Sequence, residues 1–320
     1  MPDLEKLNKG FDQMIDLMGE MKKSLSDEPP KQAAPKQEQP KQAPEAAPAP
    51  AAPEAAAIEE YDYSSFEQLK KAILSDKWPE AVNPNLICDP SSETDKVERG
   101  RGIIELMIEE DLTGLKFLDI GCGEGQCANL TTDYGTELSV GYDISEFPSW
   151  TGFEKPTMTT DFEKVKENAP YDVIILFDVI DHIQQEDPVS LLNKAREVLK
   201  DDGKIYMRVH PFTSRHATHL YHDLNKAYAH LVYTEEEIEK LAPGSQHAEA
   251  NSGVLYPLRT YNEYVDKAKL KCVNRRDITE KVEPFFKIPK IAERIIGNTK
   301  MSSFPEFQMS MQFIDYVLGK

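Results

Sequence analysis

Apolar positions follow three different rules along the chain. In 1–26, Leu4, Leu7, Phe11, Met14, Met18, Met21 and Leu25 recur three and four apart without a break. This is the a/d spacing of a heptad seam, and it predicts one amphipathic helix. Glu5, Lys6, Asp12, Glu20, Lys22 and Lys23 occupy much of its remaining surface. Gly10 and Gly19 each weaken such a helix by ~1 kcal/mol against alanine, and a lone helix of this length is marginal in water. Residues 4–25 are therefore expected to order against a partner, either copies of the chain itself or a groove on another protein. In 27–57 the apolar pattern disappears: eight prolines stand among Ala, Gln, Lys and Glu, with no aromatic or large aliphatic residue. Such a stretch cannot bury enough surface to offset the entropy of ordering it, so 27–58 reads as an extended, disordered linker.

From 59 to 320 short apolar runs alternate with helical stripes, the mark of a folded body. Tyr61, Tyr63, Phe66, Leu69, Ile73 and Leu74 give a short helix that Trp78-Pro79 ends. Asn83-Pro84-Asn85 and Cys88-Asp89-Pro90 mark a loop. A second helix, starting at Ser92 or Thr94 and ending at Glu110, buries Val97, Ile103, Ile104, Met107 and Ile108. Strands are predicted over 115–120, 138–142, 157–160, 171–177, 204–209 and 270–277, and helices from about Glu124 and over 188–200, 225–233 and 258–268. The run 171–177 is apolar throughout, as in a strand covered on both faces. Thr234 followed by Glu235, Glu236 and Glu237 reads as a helix start. Phe307, Met309, Met311 and Phe313 alternate with polar residues and predict a half-buried strand. The connection 144–156 is too short for a full helix, which would leave one sheet face thinly covered. Strand and helix alternate through five strands, which implies a parallel, doubly wound sheet with right-handed crossovers.

The chemistry centres on Phe117-Leu118-Asp119-Ile120-Gly121-Cys122-Gly123-Glu124-Gly125, a buried strand running into a glycine-rich turn before a helix. Backbone N–H groups at such a helix start face a ligand, and glycine lets it approach. A dinucleotide fingerprint needs a small residue where Gln126 stands. The spacing Gly121-x-Gly123-x-Gly125, two residues after Asp119, instead resembles motif I of the class I, Rossmann-like S-adenosylmethionine (SAM) methyltransferases. The resemblance covers 94–209 well and 255–320 loosely. It implies a seven-stranded, mostly parallel sheet behind the heptad helix and linker. It also implies SAM as cofactor, with Asp119 anchoring the turn and helping to place the amino-acid end of SAM, and the three glycines making room for it. Asp143, at the tip of the next strand, suits two adjacent sugar hydroxyls. Asp161 and Phe162 match the pair that in the family meets the adenine.

Asp178-Val179-Ile180-Asp181-His182-Ile183 resembles motif IV of the members that act on small molecules, which places Asp178 beside the cofactor and makes His182 a candidate for acid–base work. Next comes His210-Pro211-Phe212-Thr213-Ser214-Arg215-His216, then His219, Tyr221 and His222. Loops at this edge of an open α/β sheet line the ligand crevice. His210 and His216 are candidate catalytic residues, and Arg215 and Tyr221 candidate acceptor contacts. His216, His219 and His222 recur every three residues, but no Cys or Glu nearby completes a familiar spacing, so no metal is expected.

Composition narrows the reading further. A net charge of -19 without a dense Lys/Arg run argues against a nucleic-acid partner. Cys88, Cys122, Cys127 and Cys272 form no Cys-x-x-Cys pair and fit a reducing compartment. Neither a signal pattern nor a ~20-residue apolar span is evident, so a cytoplasmic protein, alone or in a larger intracellular or viral assembly, is expected. The reading is a SAM-dependent methyltransferase acting on oxygen or nitrogen of a small molecule or glycan, tethered through its N-terminal helix. The alternative is an inactive methyltransferase-like docking protein of a larger assembly.

Overall fold

The computed structural model describes residues 63, 65–84, 87–89, 91–183, 187–245 and 257–320. The expected heptad helix (1–26) and linker (27–58) lie outside them. Seven strands, Lys116–Ile120 (β1), Leu138–Tyr142 (β2), Thr157–Thr159 (β3), Tyr171–Phe177 (β4), Leu199–Val209 (β5), Lys271–Thr279 (β6) and Met311–Gly319 (β7), form one sheet. Their order is β3-β2-β1-β4-β5-β7-β6. The first five run parallel, and β7 lies antiparallel between β5 and β6. The order reverses between β1 and β4, where an open α/β sheet has its ligand crevice.

Alternation along each strand fills two cores. Leu118, Ile120, Ile174, Leu176, Ile205 and Met207 face one side with Tyr261 and Val265 of helix Leu258–Lys267. Phe117, Val173, Ile175 and Tyr206 face the other, against Ile103, Ile104 and Met107 of helix Glu93–Met107. These two helices are named α8 and α2. The other helices are Phe66–Ile73 (α1), Gln126–Thr131 (α3), Phe162–Glu167 (α4), Pro188–Val198 (α5), Ala229–Val232 (α6), Glu235–Leu241 (α7), Pro289–Thr299 (α9) and Glu306–Ser310 (α10). Among the described residues no helix is long and apolar enough to cross a membrane.

Several expectations are corrected. The strand at 307–313 is instead α10 followed by β7: Met309 is fully buried while Phe307 is 63% exposed, so the alternation does not lie on one sheet face. Helix 225–233 shrinks to α6 because Tyr228 takes a left-handed backbone, φ 53°. The strand 157–160 stops at Thr159, and α4 follows, capped by the Asp161 side chain. The capping box at Thr234 and Glu237 is present as read. Between β2 and β3 only a 3₁₀ turn, Pro148–Gly152, replaces a full helix.

Candidate active site

The glycine turn is closed by β2: Gly121 and Cys122 donate their N–H groups to the Tyr142 carbonyl at 2.7 and 3.1 Å. Its three glycines do different jobs. A Cβ at Gly125 (φ 83°) would lie 2.5 Å from Met158 Cε and 2.9 Å from Phe153 Cε2, and one at Gly121 would lie 2.5 Å from Val179 Cγ2. Those two absences serve the protein's own packing. Gly123 (φ 51°) has nothing within 4 Å of its missing Cβ. A Cβ thus finds room at Gly123 and meets the protein's own side chains at Gly121 and Gly125.

Asp143 joins the turn directly. Its Oδ2 accepts the Gly123 N–H at 2.9 Å and its Oδ1 that of Ser145 at 3.1 Å. Next to it Ile144 is 87% exposed, an apolar side chain held at the strand tip beside that carboxylate. Asp119 is only 5% exposed. Burial first, then the negative charge of Asp143, pushes its carboxyl up to about 7, while an N–H from Ala128 at the start of α3 opposes the rise. Asp119 therefore anchors the turn to α3. Asp161 is exposed and caps α4 by accepting from Glu163 N–H at 2.9 Å. Phe162 packs edge-on to Tyr142, ring centroids 5.2 Å apart.

The 3₁₀ turn between β2 and β3 packs against the glycine turn. Trp150 donates its indole N–H to the Gly123 carbonyl at 2.8 Å, and the Ser149 hydroxyl donates to that of Glu124 at 2.9 Å. These residues thus fix the glycine turn from outside.

A second cluster sits at the carboxyl ends of β4 and β5, and Val179, against Gly121, joins it to the turn. Asp178 has a left-handed backbone, φ 56°. Nδ1 of His210 lies 3.0 Å from Asp178 Oδ1 and 3.5 Å from Asp181 Oδ2. Burial alone would strip the proton from His210 and place one on Asp178. Their opposite charges override it, holding His210 up at about 10 and Asp178 down at about 2. Asp181 is locked from behind: its Oδ2 accepts the His210 backbone N–H at 2.7 Å, and the Tyr261 hydroxyl lies 2.8 Å from its Oδ1.

His216 stacks edge-on to His210 at 5.4 Å between centroids, and burial followed by the His210 charge holds it at about 3, so it is neutral. Tyr221 stands 6.2 Å from His216, and burial pushes its hydroxyl pKa up. Arg99 of α2 reaches to 3.9 Å from Asp178, while Lys96, one turn earlier, pairs with Glu124 at 2.7 Å. One helix thus spans the glycine turn and the second cluster. Beside the cluster Arg208, held by Asp315 at 2.6 and 2.8 Å, lies 3.8 Å over the Phe313 ring.

Of the residues read from sequence, His210, His216, Tyr221 and Asp178 come together here. Two do not. His182 is exposed on the 3₁₀ turn Ile180–His182, apart from the carboxylate–imidazole cluster. Arg215 pairs with Glu283 at 2.5 Å and donates to the Glu80 carbonyl at 2.9 Å, so it ties loops together instead of facing an acceptor. The His216–His222 stripe does not form, because only His219–His222 turns, as a single 3₁₀ element. Ile144, Trp150 and Tyr261 went unread. An apolar residue directly after the strand-tip Asp143 was the one available signal among them.

Residues 94–245 match the family model for a methyltransferase domain. With the strand order above, this decides the family. Residues 94–245 belong to the methyltransferase family, and the sheet that β6 and β7 complete has the class I fold. Its cofactor is SAM. Among curated relatives, the ubiquinone biosynthesis O-methyltransferase of Aliivibrio fischeri is 25% identical over 146 residues, 42% of this chain and 56% of its own length. That of Ruegeria pomeroyi is 31% identical over 108 residues, 31% of this chain and 42% of its own. The chain thus spans about half the length of these relatives. A SAM-dependent methyltransferase structure from Archaeoglobus fulgidus aligns over 72% of this chain and 95% of its own, at 17% identity and a TM-score of 0.43. The magnesium protoporphyrin IX methyltransferase of Synechocystis, with bound S-adenosylhomocysteine, aligns over 81% and 96%, at 13% identity and a TM-score of 0.42.

The domain's residues fit the cofactor. The missing side chain at Gly123 leaves open space over the turn, the Asp143 carboxylate stands at its edge, and Ile144 presents an exposed apolar side chain beside it.

Proposed function

We propose that this chain transfers the methyl group of SAM to an oxygen of a small-molecule or glycan acceptor. The observation that carries the reading is the contact between two half-sites: Val179, next to Asp178, fills the place of a Gly121 side chain. The open turn and the charged cluster are therefore neighbours at one sheet edge. Oxygen is favoured over nitrogen by the relatives, which are named O-methyltransferases.

When bound, SAM supplies a methyl group already activated by a sulfonium, so alignment and proton removal are what remain for the protein. Gly123, Asp143 and Ile144 would hold the adenosyl part. Tyr221 and Arg99 border the acceptor side. His210 holds a proton at neutral pH and therefore orients rather than deprotonates, while neutral His216 is the imidazole with a free lone pair. Residues 4–25 would tether the domain to itself or to a larger assembly.

Calorimetry with SAM and S-adenosylhomocysteine tests the reading, followed by turnover with phenols, sugars and amines. Micromolar binding and an alcohol or phenol acceptor are expected. No heat at millimolar ligand would sink it.

A further inference from the structure

We infer that Tyr261 is a positioning residue for methyl transfer, its hydroxyl clamping the chain just beyond β4 and β5 so that the His210 imidazole is held toward the acceptor. This role rests on the proposed methyl transfer, in which His210 orients the acceptor. Tyr261 is 1% exposed, so it acts through its neighbours and not on substrate. Its hydroxyl lies 2.8 Å from Asp181 Oδ1 and 2.9 Å from the His210 carbonyl, so one proton serves an acceptor beyond the end of each strand.

The need for a clamp follows from where β5 stops. Its ladder with β7 ends at Val209, paired with Ile314, and His210 is the next residue. Buried backbone groups beyond a ladder require other partners. Asp181 Oδ2 accepts the His210 N–H at 2.7 Å, and Tyr261 reaches the His210 carbonyl, which closes a ring of contacts through Asp181. Pro211 adds to this by restricting His210 to extended backbone. With both backbone groups of His210 held, the imidazole keeps the outer place: its side chain is 17% exposed, against 3% for Asp181.

The helix that delivers the hydroxyl is itself pinned. Asn262, the residue after Tyr261, accepts from the Tyr316 hydroxyl of β7 at 2.7 Å and from an Arg275 N–H of β6 at 3.2 Å. α8 thus carries the position of the antiparallel strands to the carboxyl ends of the parallel ones. Tyr261 lies outside 94–245, so the part of the chain beyond the family match reaches into the site. Misplacing an orienting group by about 1 Å can cost roughly a hundredfold in rate. Taking the hydroxyl from behind Asp181 should therefore slow transfer and leave the Gly123 and Asp143 side of the site unaltered.

The test uses the full chain and compares Tyr261→Phe with Tyr171→Phe. Each variant keeps a buried ring and removes one hydroxyl; that of Tyr171, the first residue of β4, donates to the Val165 carbonyl at 3.0 Å. SAM affinity by calorimetry should stay within about twofold of wild type in both. With labelled SAM and phenol as the acceptor probe, kcat should fall roughly tenfold to a hundredfold in Tyr261→Phe, with the KM for SAM unchanged, and stay near wild type in Tyr171→Phe. Amide hydrogen exchange gives a second readout on the protein alone: the His210 N–H should exchange about tenfold faster in Tyr261→Phe than in Tyr171→Phe. Equal exchange at His210 in the two variants, or an equal loss of kcat, would overturn the positioning role even with SAM binding intact. If the wild type binds SAM but leaves phenol unmethylated, exchange at His210 decides alone. No heat with SAM, together with faster exchange confined to Tyr261→Phe, would sustain the clamp and sink the proposed function instead.

Discussion

Asp143 Oδ2 accepts the backbone N–H of Gly123 at 2.9 Å, so the carboxylate at the tip of β2 is part of the glycine turn. Asp143→Asn keeps the shape and removes the charge. A hydrogen bond to a charged group contributes about 1.5–3 kcal/mol, so SAM affinity should fall roughly tenfold to a hundredfold. Calorimetry checks this, and a change below about twofold would remove Asp143 from the cofactor site.

The unequal glycines separate folding from binding. Gly125→Ala forces a Cβ to 2.5 Å from Met158 at φ 83° and should cost about 2–3 kcal/mol of stability, from strain and overpacking together. Gly123→Ala meets no atom and should cost only the ~1 kcal/mol of its left-handed backbone, yet it should abolish detectable SAM binding. Urea melts and calorimetry on both variants decide. Equal effects on affinity and stability in the two would contradict the division.

The His210–Asp178 pair sets a pH window. The His210 pKa, raised to about 10, gives stability fully present below about 6.5 and lost as pH rises through about 10. The Asp178 pKa, lowered to about 2, gives stability present above about 3.8 and lost as pH falls through about 2. The pair should therefore stabilise most between about pH 4 and 6.5. His210→Gln leaves the half-buried Asp178 carboxylate with only Arg99, 3.9 Å away, and should cost about 3 kcal/mol at pH 6. The double variant with Asp178→Asn should recover part of that loss. Additive losses would show that the groups do not interact.

Removing 1–58 should leave SAM affinity unchanged and alter the oligomeric state or the retention of a partner. Light scattering on both lengths checks this, and identical mass per chain would argue against self-association through 4–25.

What was legible in the sequence was whatever local chemistry dictates. A strand that ends in a tight turn needs glycine, so the bend at 121–125 could be read directly, and Asp143 stands at the tip of the next strand as expected. The capping box at Thr234 was legible for the same reason. Residues whose partners lie far along the chain were not. Arg215 looked like an acceptor contact because its partner Glu283 belongs to a segment that sequence pattern did not connect to it. Tyr261 is a core residue of α8, yet its hydroxyl braces Asp181. The 307–313 alternation failed because Pro305 precedes a helical turn, which splits Phe307 from Met309 before β7 begins.

The brevity of the link between β2 and β3 has a consequence for how this chain could diverge. Where a full helix shields a sheet, its outer positions drift freely. Here the link is Trp150 and its neighbours, and the indole grips the carbonyl of Gly123. Substitutions in that stretch should thus register at once as altered cofactor affinity, leaving evolution little room to vary one without the other.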